Sequence, residues 1–300
     1  MDSSNLVSVI VNCHNSDQFI EECINSIIAQ SYRNLEIIVW DNNSHDSTAS
    51  ILNKLSRVDK RVKYFRGDKF VPLGTARNLA LQKCCGSWIA FLDSDDLWDQ
   101  NFLSDQMSAL VGKEEIAFGF GYVTEFLHDS RTIPSHEKVR EHIEAETSIF
   151  DKLLRGNFIY FSSLVFSREA LNFLKKFRDD FVQAEDYELL LRLANKFNAI
   201  QIGHAYYRLH ENNLSKRQTY ELYIETLYIL KLYLKHRKAK VNFSFNFAKF
   251  AIYCVKSKNH FLFFQTIRSQ EYSLIYLFFG LAMVTLYRTT KFFRIIRKKL

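Results

Sequence analysis

Two prolines, Pro72 and Pro134, and nine glycines are few breakers for 300 residues. So few exclude a collagenous, linker-like or low-complexity chain. No segment repeats. No Gly-x-Gly-x-x-Gly follows the first apolar run, which disfavours dinucleotide binding. A Walker A lysine motif and a Gly-x-Ser-x-Gly elbow are also missing, which disfavours P-loop and serine-hydrolase chemistry. The five cysteines (Cys13, Cys23, Cys84, Cys85, Cys254) are odd in number and lack zinc spacing. A reduced, cytosolic setting is therefore expected. The opening Met-Asp-Ser-Ser-Asn carries no basic segment, and the apolar run after it is too short for a signal peptide.

What is present is hydrophobic and unevenly charged. Hydrophobic residues make up 47% of the chain, enough for a sizeable core. The net charge of +7 conceals an asymmetry. Residues 1–225 hold 25 Lys/Arg and 32 Asp/Glu, a balance of −7. Residues 226–300 hold 15 Lys/Arg and one acid, Glu271, a balance of +14. A basic tail of this kind meets nucleic acid or anionic lipid.

Periodicity organises the first third. Apolar strands are expected at 6–11, 35–40, 62–65 and 87–92, and helices at 17–30, 47–55 and 74–84. Such alternation predicts an α/β fold with a mostly parallel sheet covered on both faces. Ligands then bind beyond the carboxyl ends of the strands. Polar residues collect there: Asn12–Asn15, Asp41–Asn43 and Asp93–Asp96. Further on, a strand or hairpin arm is expected at 116–126, helices at 147–155, 170–176 and 184–194, and a strand at 200–207. Residues 127–147 are polar and irregular. After about residue 219 the pattern is helical, so a boundary near 218 separates an α/β domain, 1–218, from a basic helical extension, 219–300.

Each polar cluster has a chemical reading and a plain one. Asp93-Ser-Asp95-Asp96 follows a strand, and two acids two residues apart can face one hard cation and the phosphate it carries. The plain reading is a helix cap, but a cap needs one acid. Asp41 ends the second strand and could accept from a base or a ribose; turn chemistry is the alternative. Asp46 or Ser47 reads as the cap of the next helix. Arg77 is expected in the first turn of its helix, a poor place for a cation unless an anion is near. Its plain reading is a surface ion pair. Glu185-Asp186 suits the start of a helix, yet a carboxylate there could also serve as a general base. His210, near Asn213 and Ser215, is a structural histidine or a partner of a metal or diphosphate.

In order and spacing these pieces resemble family 2 glycosyltransferases of the GT-A nucleotide-diphospho-sugar transferase fold. Val7-Ser-Val-Ile-Val-Asn-Cys-His-Asn15 is similar to the family's opening strand and nucleotide loop. Trp40-Asp41-Asn-Asn-Ser-His-Asp-Ser-Thr48 is similar to its second acidic loop. Gly74-Thr-Ala-Arg77-Asn78 resembles the Ala-Arg-Asn segment, and Phe91-Leu-Asp93-Ser-Asp95-Asp96 the Asp-x-Asp metal motif. Glu185-Asp186 resembles the acidic pair carrying the base, and Tyr207-Arg-Leu-His210-Glu-Asn-Asn213-Leu-Ser215 the closing motif. The chain departs from the usual Pro-Thr-Tyr at Asn12-Cys13-His14 and from the usual two acids at Asp41-Asn42.

The resemblance implies an inverting transfer of a sugar from a nucleotide-diphosphate-sugar, most simply a UDP-sugar, to a hydroxyl of a glycan or lipid-linked acceptor in polysaccharide synthesis. It places Asn12, His14, Asn15, Asp41, Arg77, Asp93 and Glu185 at the donor. Asp95, with His210 beside it, would hold Mg2+ or Mn2+. Asp186 would be the catalytic base. Two alternatives remain at this level. A sugar-nucleotide nucleotidyltransferase would want a glycine-rich basic loop, which Ser8–Ser16 lacks. A non-catalytic glycan-binding protein would not need the acids.

The tail matches none of these motifs. Tyr272–Tyr287 is 16 residues without charge, short of the ~20 needed to span a bilayer. Arg288, Lys291, Arg294, Arg297, Lys298 and Lys299 follow, with Phe292, Phe293, Ile295 and Ile296 among them. This combination predicts peripheral attachment to the anionic inner face of the cell membrane. A buried helix with a solvated basic end is the plain alternative. No nucleic-acid-binding module is recognisable, so no nucleic-acid partner is expected.

Overall fold

The computed structural model describes residues 5–113, 115–127, 149–211, 213, 219–257 and 276. The chain divides into two compact units. The first comprises residues 1–150 and 158–216, and the second residues 151–157 and 217–300.

The first unit is an eight-stranded sheet flanked by helices. Its opening half runs β1 (Val7–Cys13), α1 (Ile20–Ile28), β2 (Leu35–Asp41), α2 (Thr48–Val58), β3 (Val62–Arg66), α3 (Leu73–Leu81) and β4 (Trp88–Phe91). Strands β3, β2, β1 and β4 pair in parallel. The strands β1 and β2 are almost wholly buried, as near-continuous Val/Ile/Leu runs covered on both faces should be. The rest comprises β5 (Leu97–Trp98), α4 (Phe102–Leu110), β6 (Ile116–Leu127), the start of a short helix α5 (Ile149–Leu153) whose last three residues belong to the second unit, β7 (Leu164–Ser167), α6 (Arg168–Leu174), α7 (Glu185–Lys196) and β8 (Asn198–Leu209). The sheet order is β3-β2-β1-β4-β7-β6-β8-β5.

Four strand pairings are parallel and three, all involving β7 or β5, are antiparallel. These two strands, and helix α4, are absent from the expectations above. Strand β5 has two residues and β7 four, too short to show a period.

The core lies between the sheet and its helices. Val7, Val9 and Val11 of β1, Ile37 and Val39 of β2, Ile24 and Ile27 of α1, and Phe102, Leu103 and Met107 of α4 share one buried cluster. At the amino end of the strands sits a buried polar knot. Glu36 accepts from Ser8 Oγ at 2.6 Å, Lys63 Nζ at 2.6 Å and the Cys85 N–H at 2.6 Å. Gly86 N–H donates to Ser8 Oγ at 2.8 Å, and a Cβ at Gly86 would lie 2.5 Å from the Leu6 carbonyl. This knot fixes the end of the sheet opposite the polar loops.

The second unit contains α8 (Tyr220–Leu232) and α9 (Arg237–Lys256). Thr219 caps α8 by accepting from Leu222 N–H at 3.3 Å. Tyr220 and Tyr223 of α8 pack on Phe250 of α9, at 5.8 and 6.1 Å between ring centres. Among the described residues no helix is long and apolar enough to cross a membrane. The expected surface-binding segment, 272–299, lies outside the described residues apart from Tyr276.

Candidate active site

Strand β4 delivers the acidic cluster, and the structure gives its three carboxylates separate surroundings. Asp93 is partly exposed; its N–H donates to Ser162 Oγ at 3.2 Å. Asp95 accepts from His210, Nε2 to Oδ2, at 2.8 Å. Asp96 is fully buried. It accepts from the Ser162 hydroxyl and, at 2.9 Å, from the Arg208 N–H. Burial, then the charges of Asp95 and Asp93, hold Asp96 well above the usual carboxylate range. Burial and the Asp93 charge also raise Asp95, against the pull of His210. Asp96 thus ties the cluster to β8, while Asp93 and Asp95 remain partly exposed.

Arg77 joins this cluster to α7. Its Nη1 lies 2.8 Å from Glu185 Oε1 and its Nη2 lies 3.4 Å from Asp93 Oδ1. The Arg77 and Glu185 side chains are each only 4% exposed, so this pair is buried, unlike the surface pair considered above. The guanidinium also stacks on Phe161, 4.1 Å from the ring centre. Since α3 begins at Leu73, Arg77 sits in the second turn, not the first as expected. Its anions come from β4 and α7 across the fold. Gly74 permits this approach: a Cβ there would lie 2.7 Å from the Arg178 carbonyl and 3.5 Å from Glu185 Cβ.

Asp186 follows Glu185 in the first turn of α7 and accepts the Tyr187 N–H at 2.6 Å. Burial raises its carboxyl, with Arg77 pulling against the rise and Asp93 adding to it. A carboxylate with raised affinity for protons suits proton abstraction from a hydroxyl.

The nucleotide loops are zipped to each other. Asn42 N–H donates to the Cys13 carbonyl at 2.8 Å. Asn15 N–H donates to Ser44 Oγ at 2.9 Å, His45 N–H to Asn15 Oδ1 at 2.8 Å, and Ser16 N–H to Thr48 Oγ1 at 2.8 Å. His14 Nδ1 lies 3.0 Å from the Asn42 carbonyl. Asn15 and Asn43 adopt φ of +51° and +63°, a region asparagine tolerates. The helix after this loop is served by Asp46, which accepts Thr48 N–H at 3.0 Å.

Asp41 is the last residue of β2. It is fully buried, accepting Ser44 N–H at 2.7 Å and Tyr64 O–H at 2.8 Å. These two bonds shape the turn after β2, the turn chemistry weighed above for this residue. Nearby, Asn12 and Trp40 face each other in register across β1 and β2. Asn12 Nδ2 and Trp40 Nε1 are buried donors without an acceptor among the described residues. Asn42 clips the loop after β3 by donating to the Val71 carbonyl at 2.8 Å and accepting its N–H at 3.1 Å. That loop carries Phe70, 61% exposed, whose ring meets His14 at 4.7 Å.

Residues 8–174 match the family described as Glycosyl transferase family 2. The chain belongs to this family. It is 33% identical over 221 residues to the UDP-Glc:alpha-D-GlcNAc-diphosphoundecaprenol beta-1,3-glucosyltransferase WfgD of Escherichia coli, covering 72% of this chain and 82% of the relative. Among solved structures it resembles S. aureus TarS 1-349 in complex with UDP-GlcNAc, with a TM-score of 0.61 and 20% identity. The likeness covers 82% of this chain and 71% of that one. It also resembles the mannosyltransferase PcManGT of Pyrobaculum calidifontis in complex with GDP-Man and Mn2+, with a TM-score of 0.57 and 16% identity. That match covers 97% of this chain and 82% of the other. The fold is therefore that of GT-A glycosyltransferases, and the protein is a glycosyltransferase.

The residues of this glycosyltransferase can be tested against the divalent ion its fold implies. Among the described residues no group of three or more His, Cys, Asp or Glu forms a ready-made cage. Magnesium and manganese use one or two carboxylates and complete their shell with water and phosphate. Asp95 is partly exposed beside His210, and Asp93 crowds it with like charge. A cation would relieve that repulsion, so the donor set fits.

Several members of the transferase site carry no mark in the sequence. Ser162 bonds two acids, yet it belongs to no motif. Tyr64 reads as an ordinary strand aromatic. Only the fold brings them to the site.

Proposed function

We propose that this glycosyltransferase moves a sugar, with inversion, from a UDP-sugar to a hydroxyl of a lipid-linked glycan in cell-surface polysaccharide synthesis. The observation that carries the reading is the Arg77 bridge, which draws Asp93 and Glu185 to one cation and sets Asp186 beside them. The activity named for the Escherichia coli relative supports the donor and acceptor classes. The UDP-GlcNAc bound to TarS supports a UDP donor, and the Mn2+ with PcManGT supports a divalent ion.

Each residue then has a task. Asn12 and His14, with the exposed ring of Phe70, meet the base, while Asn15 and Asp41 hold the loop that presents them. Asp93 faces the ribose or the donor sugar. Asp95 and His210 would hold the divalent ion, which neutralises a leaving diphosphate when bound. Arg77, kept in place by Glu185, adds fixed positive charge next to Asp93. Asp186 takes the proton of the acceptor hydroxyl. The freed oxygen forms a bond to the anomeric carbon as the bond from that carbon to the diphosphate oxygen breaks. The electron pair leaves with the nucleoside diphosphate, and one displacement inverts the centre.

Residues 219–300 form a separate extension in this reading. Its basic end holds the enzyme on the cytoplasmic leaflet, where a lipid-linked acceptor resides. The test is nucleotide release by purified protein from a panel of UDP- and GDP-sugars, with and without chelator. Turnover of a UDP-sugar that chelator abolishes and Asp186→Asn removes is expected. Release from no sugar nucleotide, or full rate in Asp186→Asn, would sink the reading.

A further inference from the structure

Beyond the acids, the loop 158–163 carries a second arrangement that no motif accounts for. Tyr160 stands two residues before Ser162, whose hydroxyl bonds Asp96 and receives the Asp93 N–H. Its ring lies against that of Tyr207 on β8, at 5.0 Å between centres and 57° between planes. Both rings are partly exposed. Tyr160 O–H donates to Glu125 Oε1 at 2.7 Å. Glu125 on β6 is exposed and stands in register opposite Tyr207. Burial, then the bond to Glu125, pushes the Tyr160 hydroxyl up to about 12, so it stays a donor at physiological pH.

Two aromatic rings beside a carboxylate have a specific complement. A pyranose presents an apolar C–H face and a rim of hydroxyl donors. Aromatic faces take the first, and the carboxylate takes the second with the lone pairs Tyr160 leaves. Nothing in the packing of the sheet requires an exposed acid here. We infer that Tyr160, Tyr207 and Glu125 form the subsite for the sugar residue of the acceptor, with its ring against the tyrosines and its hydroxyls on Glu125. This rests on the glycosyltransferase reading above. It places the acceptor on the β6–β8 side of the acids, opposite the nucleotide loops after β1 and β2.

Saturation-transfer NMR tests the subsite directly, with UDP present and methyl glycosides of glucose, galactose, mannose, N-acetylglucosamine and rhamnose as probes. At least one glycoside is expected to take saturation on its C–H protons from aromatic protons of the wild-type protein. Tyr160→Ala and Tyr207→Ala should each lower that signal about tenfold, with thermal melting and UDP saturation retained. Tyr207→Phe, which keeps the ring, should preserve it. If no glycoside takes saturation, or if it persists in both alanine variants, the subsite is overturned. It is equally overturned if UDP saturation falls in step with the glycoside's in folded variants, since the rings would then serve the donor. Absence of UDP saturation in the wild type would strike the donor reading instead, and the glycoside signals would still decide the subsite.

Discussion

Glu185→Gln removes one charge from the site and leaves Arg77 buried. The arginine then keeps the more distant Asp93 at 3.4 Å, whose side chain is 42% exposed, and the face of Phe161. Breaking a buried ion pair from one side costs about 3–5 kcal/mol. Asp93 and the stacking recover part of this, so about 3 kcal/mol is expected. At ~2–4 °C per kcal/mol for a unit of this size, the melting midpoint should fall by about 6–12 °C. Urea unfolding of the purified protein measures the loss. Replacing both partners, Arg77→Met with Glu185→Leu, should return most of the stability, because an apolar pair needs no desolvation of charge. Nucleotide release should stay low in that double variant, since the cation beside Asp93 is gone. A Glu185→Gln protein within ~0.5 kcal/mol of wild type would refute the buried-pair argument. So would a double variant no more stable than the single one.

Other consequences can be checked as directly. Asp186→Asn should lower turnover about 10²–10⁴-fold. Its raised carboxyl means the folded protein holds the proton more tightly than the unfolded chain, so ionisation opposes folding as pH rises beyond the ordinary carboxylate range. Asparagine should therefore leave stability at neutral pH unchanged or raised, and the acid limb of wild-type nucleotide release should lie above that of an ordinary carboxylate. Glu36 is the opposite case. Burial raises it, but bonds from Lys63, Ser8 and the Cys85 N–H outweigh burial and leave it lowered. Its stabilisation is present at neutral pH and is lost as pH falls below the ordinary value through the lowered one. Acid unfolding followed by circular dichroism should lose that component in Glu36→Gln. Gly74→Ala should destabilise by about 1–3 kcal/mol and depress nucleotide release, because its Cβ would meet the Arg178 carbonyl. A melting point equal to wild type would contradict that contact.

The opening βαβ units were legible because periodicity, turn residues and acidic strand ends agree over residues 6–96. The later sheet was less so. Strands β5 and β7 depend on partners far along the chain, and four residues carry no period. The site shows the same division. Asp93, Asp95 and Asp186 stand at element ends where carboxylates attract notice. Arg77 could be flagged as out of place, but its partner lies 108 residues away. Asp41 bonds Ser44 and Tyr64, contacts that a strand-end acid does not announce in the sequence. Tyr160, Ser162 and Tyr207 were invisible as a group, because the loop before β7 meets β8 only in the folded chain.

Ser162 has a consequence for how such an enzyme could change its product. Its hydroxyl bonds Asp96, its Oγ receives the Asp93 N–H, and its carbonyl holds the Trp98 indole at 2.7 Å. One small residue thus anchors the loop from which Phe158 and Tyr160 project. Substitutions at those two positions can exchange the surface offered to a new sugar while Ile159 and Phe161 stay buried and the acids the anchor aligns stay where they are. Novelty in the product is separated from the chemistry by a single serine.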